Sequence, residues 1–274
     1  MQSKLTLLVS CILFMSASSF HFKTENEHLT KCYVHVPGNA LNPNGFYMSS
    51  IEVTNKQYRD FLNDLTAKGE TDKLQKAMVD TSKWDKTLPQ PAAFTGFYFQ
   101  NAAFNEYPVV NVSKEGANLY CKWLTEKYNS SAKTKVQFTL PTEVQWRLAA
   151  QGGDNGAIYP WKGNTLTYEK KGKFANASMC NYRHEKAPAG AVNSNNENVD
   201  ITAPSMSFIP NAYGIYNMSG NVAELLADKN YTKGGSWYSP ADKVTIDSKE
   251  EYYDAAGSGP TIGFRPVMII AGAN

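Results

Sequence analysis

Hydrophobic periodicity is confined to a few short stretches of this 274-residue chain, and this feature limits its possible folds most. The longest amphipathic pattern begins at Thr54, with Gln57 three residues later as a capping-box partner. Tyr58, Phe61, Leu62 and Leu65 then recur at helical spacing, and Gly69 can end the segment. The pattern predicts one helix over residues 54–69.

Two more helices and two strands complete the regular structure that the sequence predicts. One helix begins near Ser113, and another begins at Thr142 with Gln145 as its capping partner and stops at residues 152–153. Residues 33–36 and 263–270 are the clearest strands. Residues 168–211 are polar and aperiodic, which fits either a linker or a loop ordered by metal ions.

Composition excludes two broad classes of protein. With 42% hydrophobic and 12% aromatic residues the chain can bury a core, so wholesale disorder is excluded. The formal net charge of +2 argues against a nucleic-acid-binding protein. Because no domain boundary is evident, residues 20–274 are predicted to form a single domain.

The N-terminal residues resemble a targeting segment. A positive charge at Lys4, an apolar run and small residues up to Ser19 predict a secretory signal peptide over residues 1–19. An alternative is a lipoprotein box ending at Cys11, which would then carry a lipid anchor. Either route predicts an exported protein that is periplasmic, associated with the outer membrane or secreted. Export leaves three cysteines, for which one disulfide and one free thiol is the simplest outcome.

Several motifs, in order along the chain, carry a resemblance to a known family. They are Glu52-Val53-Thr54-Asn55, Pro108-Val109-Val110-Asn111-Val112, Leu140-Pro141-Thr142-Glu143, Tyr159-Pro160-Trp161, Asn217-Met218-Ser219-Gly220-Asn221-Val222-Ala223-Glu224, Gly234-Gly235-Ser236-Trp237 and Ile262-Gly263-Phe264-Arg265. Together they resemble the formylglycine-generating enzymes, also called sulfatase-modifying factors. The resemblance implies an α+β fold of the elaborated C-type-lectin-like kind, with little regular secondary structure.

The resemblance does not extend to the redox centre of those enzymes. They oxidise a cysteine of a sulfatase with a pair of thiols that bind copper, and the matching positions here are Ser239 and Val244. A hydroxyl and an isopropyl group cannot replace the soft thiolates that Cu(I) requires. We therefore expect a non-catalytic domain without copper or iron, and keep a diverged oxidase or protein-maturation enzyme as the alternative.

The family also binds calcium. The resemblance implies one site made by Asn217, Gly220, Val222 and Glu224, an oxygen ligand set that suits Ca²⁺. The alternative is a Gly-Asn turn capped by the Asn and Glu side chains. A second implied site uses Asn176, Ala177, Glu197 and Val199, where Asp200 could replace Glu197.

The resemblance also implies the pairing of the cysteines. Family members often bridge the cysteine that matches Cys121 to one after the Gly-Phe-Arg motif, where this chain has Pro266. The terminal strands are neighbours in the family fold. We therefore expect a Cys32–Cys121 disulfide and a free Cys180.

The same motifs are similar to those of gliding-motility and type IX secretion lipoproteins of Bacteroidota, which are structural parts of the cell envelope. This similarity implies a structural or binding role with an envelope protein or glycan as partner, and no nucleic acid. The ligand surface would lie between residues 237 and 263, and its members are Trp237, Tyr238, Asp242, Tyr252 and Tyr253. A lectin-like variable ligand-binding protein is a further alternative.

Overall fold

A computed structural model describes residues 32–40, 42, 44–86, 97–169, 175–183, 201–252 and 256–271. Its helices are α1 (Asn55–Ala67), α2 (Thr71–Ala77), α3 (Lys114–Asn129) and α4 (Glu143–Gln151). Its strands are β1 (Tyr33–Val36), β2 (Phe46–Ser49), β3 (Val136–Thr139), β4 (Ala223–Leu225), β5 (Tyr231–Lys233), β6 (Lys249–Glu251), β7 (Ile262–Gly263) and β8 (Val267–Ile270). Short 3₁₀ turns lie at Thr81–Lys86, Ala102–Phe104 and Ala241–Lys243.

The helix starts follow the capping signals in the sequence. Thr54 and Thr142 each form a reciprocal capping box, with Gln57 and Gln145 respectively. Each box satisfies two N–H groups that a helix start otherwise leaves without partners. The predicted helix starts at residues 54, 113 and 142 are therefore confirmed.

The first sheet has the strand order β1-β2-β8-β3, and all of its pairs are antiparallel. Helix α3 packs against it through a core that includes Tyr120, Leu124 and Phe138. At the outer edge of β3, the Asn129 amide bonds both main-chain groups of Val136, and the Thr125 hydroxyl accepts from Phe138 N–H. Side chains of α3 therefore form hydrogen bonds with main-chain groups that an uncovered sheet edge would leave open to pairing with another chain.

The second sheet has the order β6-β5-β4-β7, with β7 parallel to β4. The prediction of one strand over residues 263–270 is wrong, because this stretch is divided between the two sheets as β7 and β8. The break lies where Arg265 turns inward to Glu224 and where Pro266 has no N–H to donate. The same few residues thus connect both sheets.

The architecture is α+β with short elements and long connections, as predicted. Large side chains such as Trp146, Tyr58 and Phe264 are fully buried between the layers. Within the described part of the chain, no helix has the length and apolar character needed to cross a membrane.

Candidate functional site

A tight turn after β5 positions two hydroxyl groups. The Ser239 N–H donates to the Ser236 carbonyl at 3.1 Å, and the Ser239 hydroxyl accepts from the Ser236 N–H at 2.9 Å. The two hydroxyl oxygens are 2.9 Å apart. Gly235 precedes the turn with φ +67°, and a Cβ there would lie 2.5 Å from the Lys243 carbonyl. The close approach of these two segments therefore requires glycine.

Strand β6 brings a carboxylate to these hydroxyls. Thr232 in β5 pairs with Glu250 in β6, and the Thr232 hydroxyl donates to the Glu250 carbonyl at 3.1 Å. The Ser239 hydroxyl donates to Glu250 Oε1. Burial raises the pKa of Glu250, although the Ser239 hydrogen bond and the charge of Lys243 oppose the rise. Ser236, Ser239 and Glu250 thus form one hydrogen-bonded group.

This group lies in an open pocket of about 270 Å³. The lining residues are Arg183, Thr232, Ser236, Tyr238, Ser239, Pro240, Glu250, Glu251 and Ile262. Arg183 is held at the pocket by its N–H, which donates to the Ser239 carbonyl at 3.0 Å. Its guanidinium lies 5.1 Å from the centre of the Tyr238 ring. The pocket therefore combines hydroxyls, two carboxylates, a cation and an aromatic ring.

The positions that match the thiol pair have no redox character. Ser239 is bound to Glu250, and Val244 is buried in an apolar cluster with Tyr159 and Cys180. Burial strongly raises the pKa of the Cys180 thiol, which keeps it protonated. The described residues also contain no group of three or more His, Cys, Asp or Glu placed to hold a metal. These side chains do not fit a copper centre.

The residues of the predicted ligand surface differ in how far solvent reaches them. The placement of Trp237 on this surface is wrong, because the residue is only 4% exposed. Its ring stacks on Trp84, and its indole N–H donates to the Pro260 carbonyl. Tyr238 is 40% exposed and lines the pocket, and Asp242 is exposed. Tyr252 is half-buried and its hydroxyl bonds the Lys229 carbonyl. Tyr253 lies outside the described residues.

The expected calcium ligand Glu224 is engaged by other side chains. Arg265 Nε and Nη2 contact its two oxygens at 2.7–2.9 Å, and the Trp146 indole N–H donates to it at 2.8 Å. A guanidinium therefore neutralises this carboxylate. As arranged, the Glu224 side chain does not fit a calcium site, because an ion there would have to compete with the Arg265 contacts.

The remaining expected ligands have mixed placements. The Asn217 amide donates to the carboxylate of Glu52 and to the Ser205 carbonyl, both at 3.1 Å. Gly220 and Val222 are buried in the same segment. For the second site, the Ala177 carbonyl accepts from Tyr168 N–H, and Asn176 has a φ of +62°. Glu197, Val199 and Asp200 lie outside the described residues, as do the predicted signal peptide 1–19 and Cys11.

The predicted Cys32–Cys121 disulfide is absent, because Cys32, Cys121 and Cys180 are all free thiols. Strand β2 lies between β1 and β8, so the terminal strands are not direct neighbours as expected. Cys121 is buried in the core beneath α3, whereas Cys32 is half-buried at the start of β1. Burial raises the pKa of both thiols.

Three charged residues of the site region were not predicted from the sequence. Arg183 comes from the aperiodic central segment, and Glu250 belongs to a charged run that is typical of a solvated strand. Glu52 is fully buried and accepts hydrogen bonds from the side chains of Asn217 and Asn221. Its position inside the Glu52-Val53-Thr54-Asn55 motif was the one available signal.

Comparison with known proteins finds a matching family model and several relatives. The model of the sulfatase-modifying factor enzyme 1-like domain matches residues 10–270. The mouse formylglycine-generating enzyme is 28% identical over 211 residues, which is 70% of this chain and 51% of the relative. The mouse inactive C-alpha-formylglycine-generating enzyme 2 is 26% identical over 75% of this chain and 68% of the relative. The chain thus spans about half the length of the mouse enzyme.

A third relative and two solved structures extend the comparison. Chaperone protein LppX of Paenibacillus barcinonensis is 29% identical over 81% of this chain and 79% of its own. CarF superposes with a TM-score of 0.56 at 22% identity, covering 87% of this chain and 98% of its own. PvdO from Pseudomonas aeruginosa superposes with a TM-score of 0.54 at 21% identity, covering 82% and 81%. These two structures support the fold.

Proposed function

The chain belongs to the sulfatase-modifying factor enzyme 1-like domain family, and within that family we propose that it is an exported, non-catalytic binding module. Its ligand site is the pocket lined by Ser236, Ser239 and Glu250. A fold can keep its scaffold while its site loses or changes its chemistry, so function has to be argued from the site.

One observation carries the proposal, namely the side chains at the two thiol positions. Ser239 is hydrogen-bonded to Glu250 and Val244 is buried among apolar groups, so neither can supply a thiolate. Cys180 lies beside Val244 as a buried, protonated thiol. What remains at this place is an open polar pocket on a rigid scaffold, an arrangement suited to recognition.

The cellular setting is part of the proposal. Residues 1–19 act as a signal peptide, or Cys11 carries a lipid anchor, and the domain then works as a component of the cell envelope. A role in gliding motility or type IX secretion is the finer form of this proposal, with an envelope protein or glycan as partner. One relative is named an inactive enzyme and another a chaperone protein, which supports a role other than oxidation.

Partner capture by the purified protein tests the binding role. Replacing the pocket residues Arg183 and Tyr238 by alanine should reduce capture from solubilised envelope at least tenfold relative to wild type. The matched control is alanine at Lys56 and Asp60, an exposed ion pair on α1. Equal capture by wild type and the pocket variant would refute the pocket as the binding site.

The oxidase alternative is separated by metal and oxygen measurements. We expect neither stoichiometric copper or iron nor oxygen uptake with a thiol peptide. Tightly bound copper or iron together with oxygen uptake would instead support the diverged enzyme. A lectin-like variable protein would use the same pocket, and capture that a soluble glycan abolishes would favour it.

A further inference from the structure

The charges of the pocket indicate what it binds. We propose that the pocket recognises a primary ammonium group, on a lysine side chain or at the N-terminus of a peptide, and holds it on Glu250. This inference rests on the proposed function, because it names the chemistry that the binding pocket takes.

Only one of the two carboxylate oxygens of Glu250 accepts a hydrogen bond from the described residues. Its Oε1 accepts from the Ser239 hydroxyl. Among the residues that the structure describes, none donates a hydrogen bond to Oε2 and none forms an ion pair with Glu250. A half-buried carboxylate without a direct ion-pair partner is stabilised when a cation approaches it. The free oxygen is therefore an acceptor ready for a charged donor.

The charge balance of the lining also favours a cation. Arg183 contributes +1 and Glu250 and Glu251 contribute −1 each, so the lining residues carry 1 − 2 = −1. The guanidinium of Arg183 is stacked on Tyr238. Lys243 acts on Glu250 only through its charge, since it is exposed and does not line the pocket. One positive charge on the ligand would balance the pocket.

The acceptors suit an ammonium better than a guanidinium. A guanidinium binds best to two free oxygens of one carboxylate, and Ser239 already occupies one of them. An ammonium is a compact charge with three donors, which can bind one carboxylate oxygen and nearby hydroxyls. The Ser239 hydroxyl donates to Glu250 and accepts from the N–H and the hydroxyl of Ser236, so it has no lone pair left. The Ser236 hydroxyl oxygen accepts only from the Tyr238 N–H, so it keeps one lone pair for the ammonium.

Small probes test the proposal on the full chain. The probes are Nα-acetyl-lysine methylamide, its Nε-acetylated form, alanine amide and Nα-acetyl-arginine methylamide, titrated by calorimetry or NMR at low salt. We expect the lysine probe or alanine amide to bind at least tenfold more tightly than the Nε-acetylated and arginine probes. Which of the two binds separates a side-chain source from a peptide N-terminus.

Variants assign the binding to one carboxylate. Glu250→Gln should weaken the binding of the ammonium probe at least tenfold, whereas Asp60→Asn in the exposed ion pair of α1 should change it less than threefold. Glu250→Asp keeps the charge and should retain part of the affinity, which separates loss of charge from misfolding. Unchanged affinity in Glu250→Gln, or equal binding of acetylated and free lysine, overturns the inference.

Failure of this inference differs from failure of the proposed function. If no ammonium probe binds but the Arg183 and Tyr238 variant still loses partner capture, the pocket binds another chemistry and only the inference falls. If that variant captures its partner normally, the proposed function itself falls.

Discussion

Replacement of Arg265 by methionine tests the buried ion pair between the two sheets. Arg265 and Glu224 are both buried, and the guanidinium also donates to the carbonyls of Ser49 and Tyr216. Removal of one partner of a buried pair costs about 3–5 kcal/mol, because it leaves the other charge uncompensated. We expect a loss of about 5 kcal/mol for Arg265→Met, since the charge of Arg265 also acts on the buried carboxyl of Glu52.

Glu224→Met should cost less, about 3 kcal/mol, because Arg265 keeps its two carbonyl partners and Glu52 remains as a nearby anion. The double variant removes both charges, so its loss should be smaller than the sum of the single losses by at least about 2 kcal/mol.

Urea denaturation followed by tryptophan fluorescence gives each free energy of unfolding. The exposed pair Lys56–Asp60 is the control, and its coupling should not exceed about 0.5 kcal/mol. Additive single losses at Arg265 and Glu224 would refute the buried-pair reasoning.

Three further predictions concern protons, thiols and calcium. Burial raises the pKa of Glu52 to about 7, above its ordinary value of 4.5. The folded state thus binds the proton more tightly, so the free energy of unfolding should fall by up to about 3 kcal/mol as pH rises from 4.5 to 7, and Glu52→Gln should flatten this dependence. Iodoacetamide should modify Cys32 in the folded, unreduced protein and leave the buried Cys121 and Cys180 unmodified; an unreactive Cys32 that becomes reactive after reduction would restore the disulfide prediction. Because Arg265 holds Glu224, we expect millimolar calcium to stabilise the protein by less than about 1 kcal/mol relative to EDTA in thermal unfolding. A larger shift would support the calcium site that the resemblance implies.

Local signals predicted the helix starts because their partners lie three residues apart. Thr54 with Gln57 and Thr142 with Gln145 form capping boxes, and both partners of each box lie within four consecutive residues. The seven-residue α2 was missed, since so short a helix has too few turns to establish a periodic pattern.

Long-range contacts were beyond the reach of the sequence pattern. The division of residues 263–270 depends on Glu224, which lies 41 positions before Arg265. In the candidate pocket, Ser239 was singled out as a position matching the thiol pair and Tyr238 as a surface residue, whereas Glu250 depends on strand pairing with Thr232. Trp237 was placed on the ligand surface because the motif does not reveal which of two adjacent aromatic residues turns inward.

The division of one short stretch between two sheets has a consequence for how the chain acquires its structure. Among the described strands, β3 pairs with β8, and β4 pairs with β7 on one side. Neither sheet is therefore complete until the last segment of the described chain is in place. Pairing of strands that are distant in the sequence requires closure of a large loop, and its entropy cost comes before the stabilising contacts form. Such pairings therefore form slowly. We expect a nascent chain to remain open during synthesis, with assembly completed only after residues 262–270 have emerged from the ribosome.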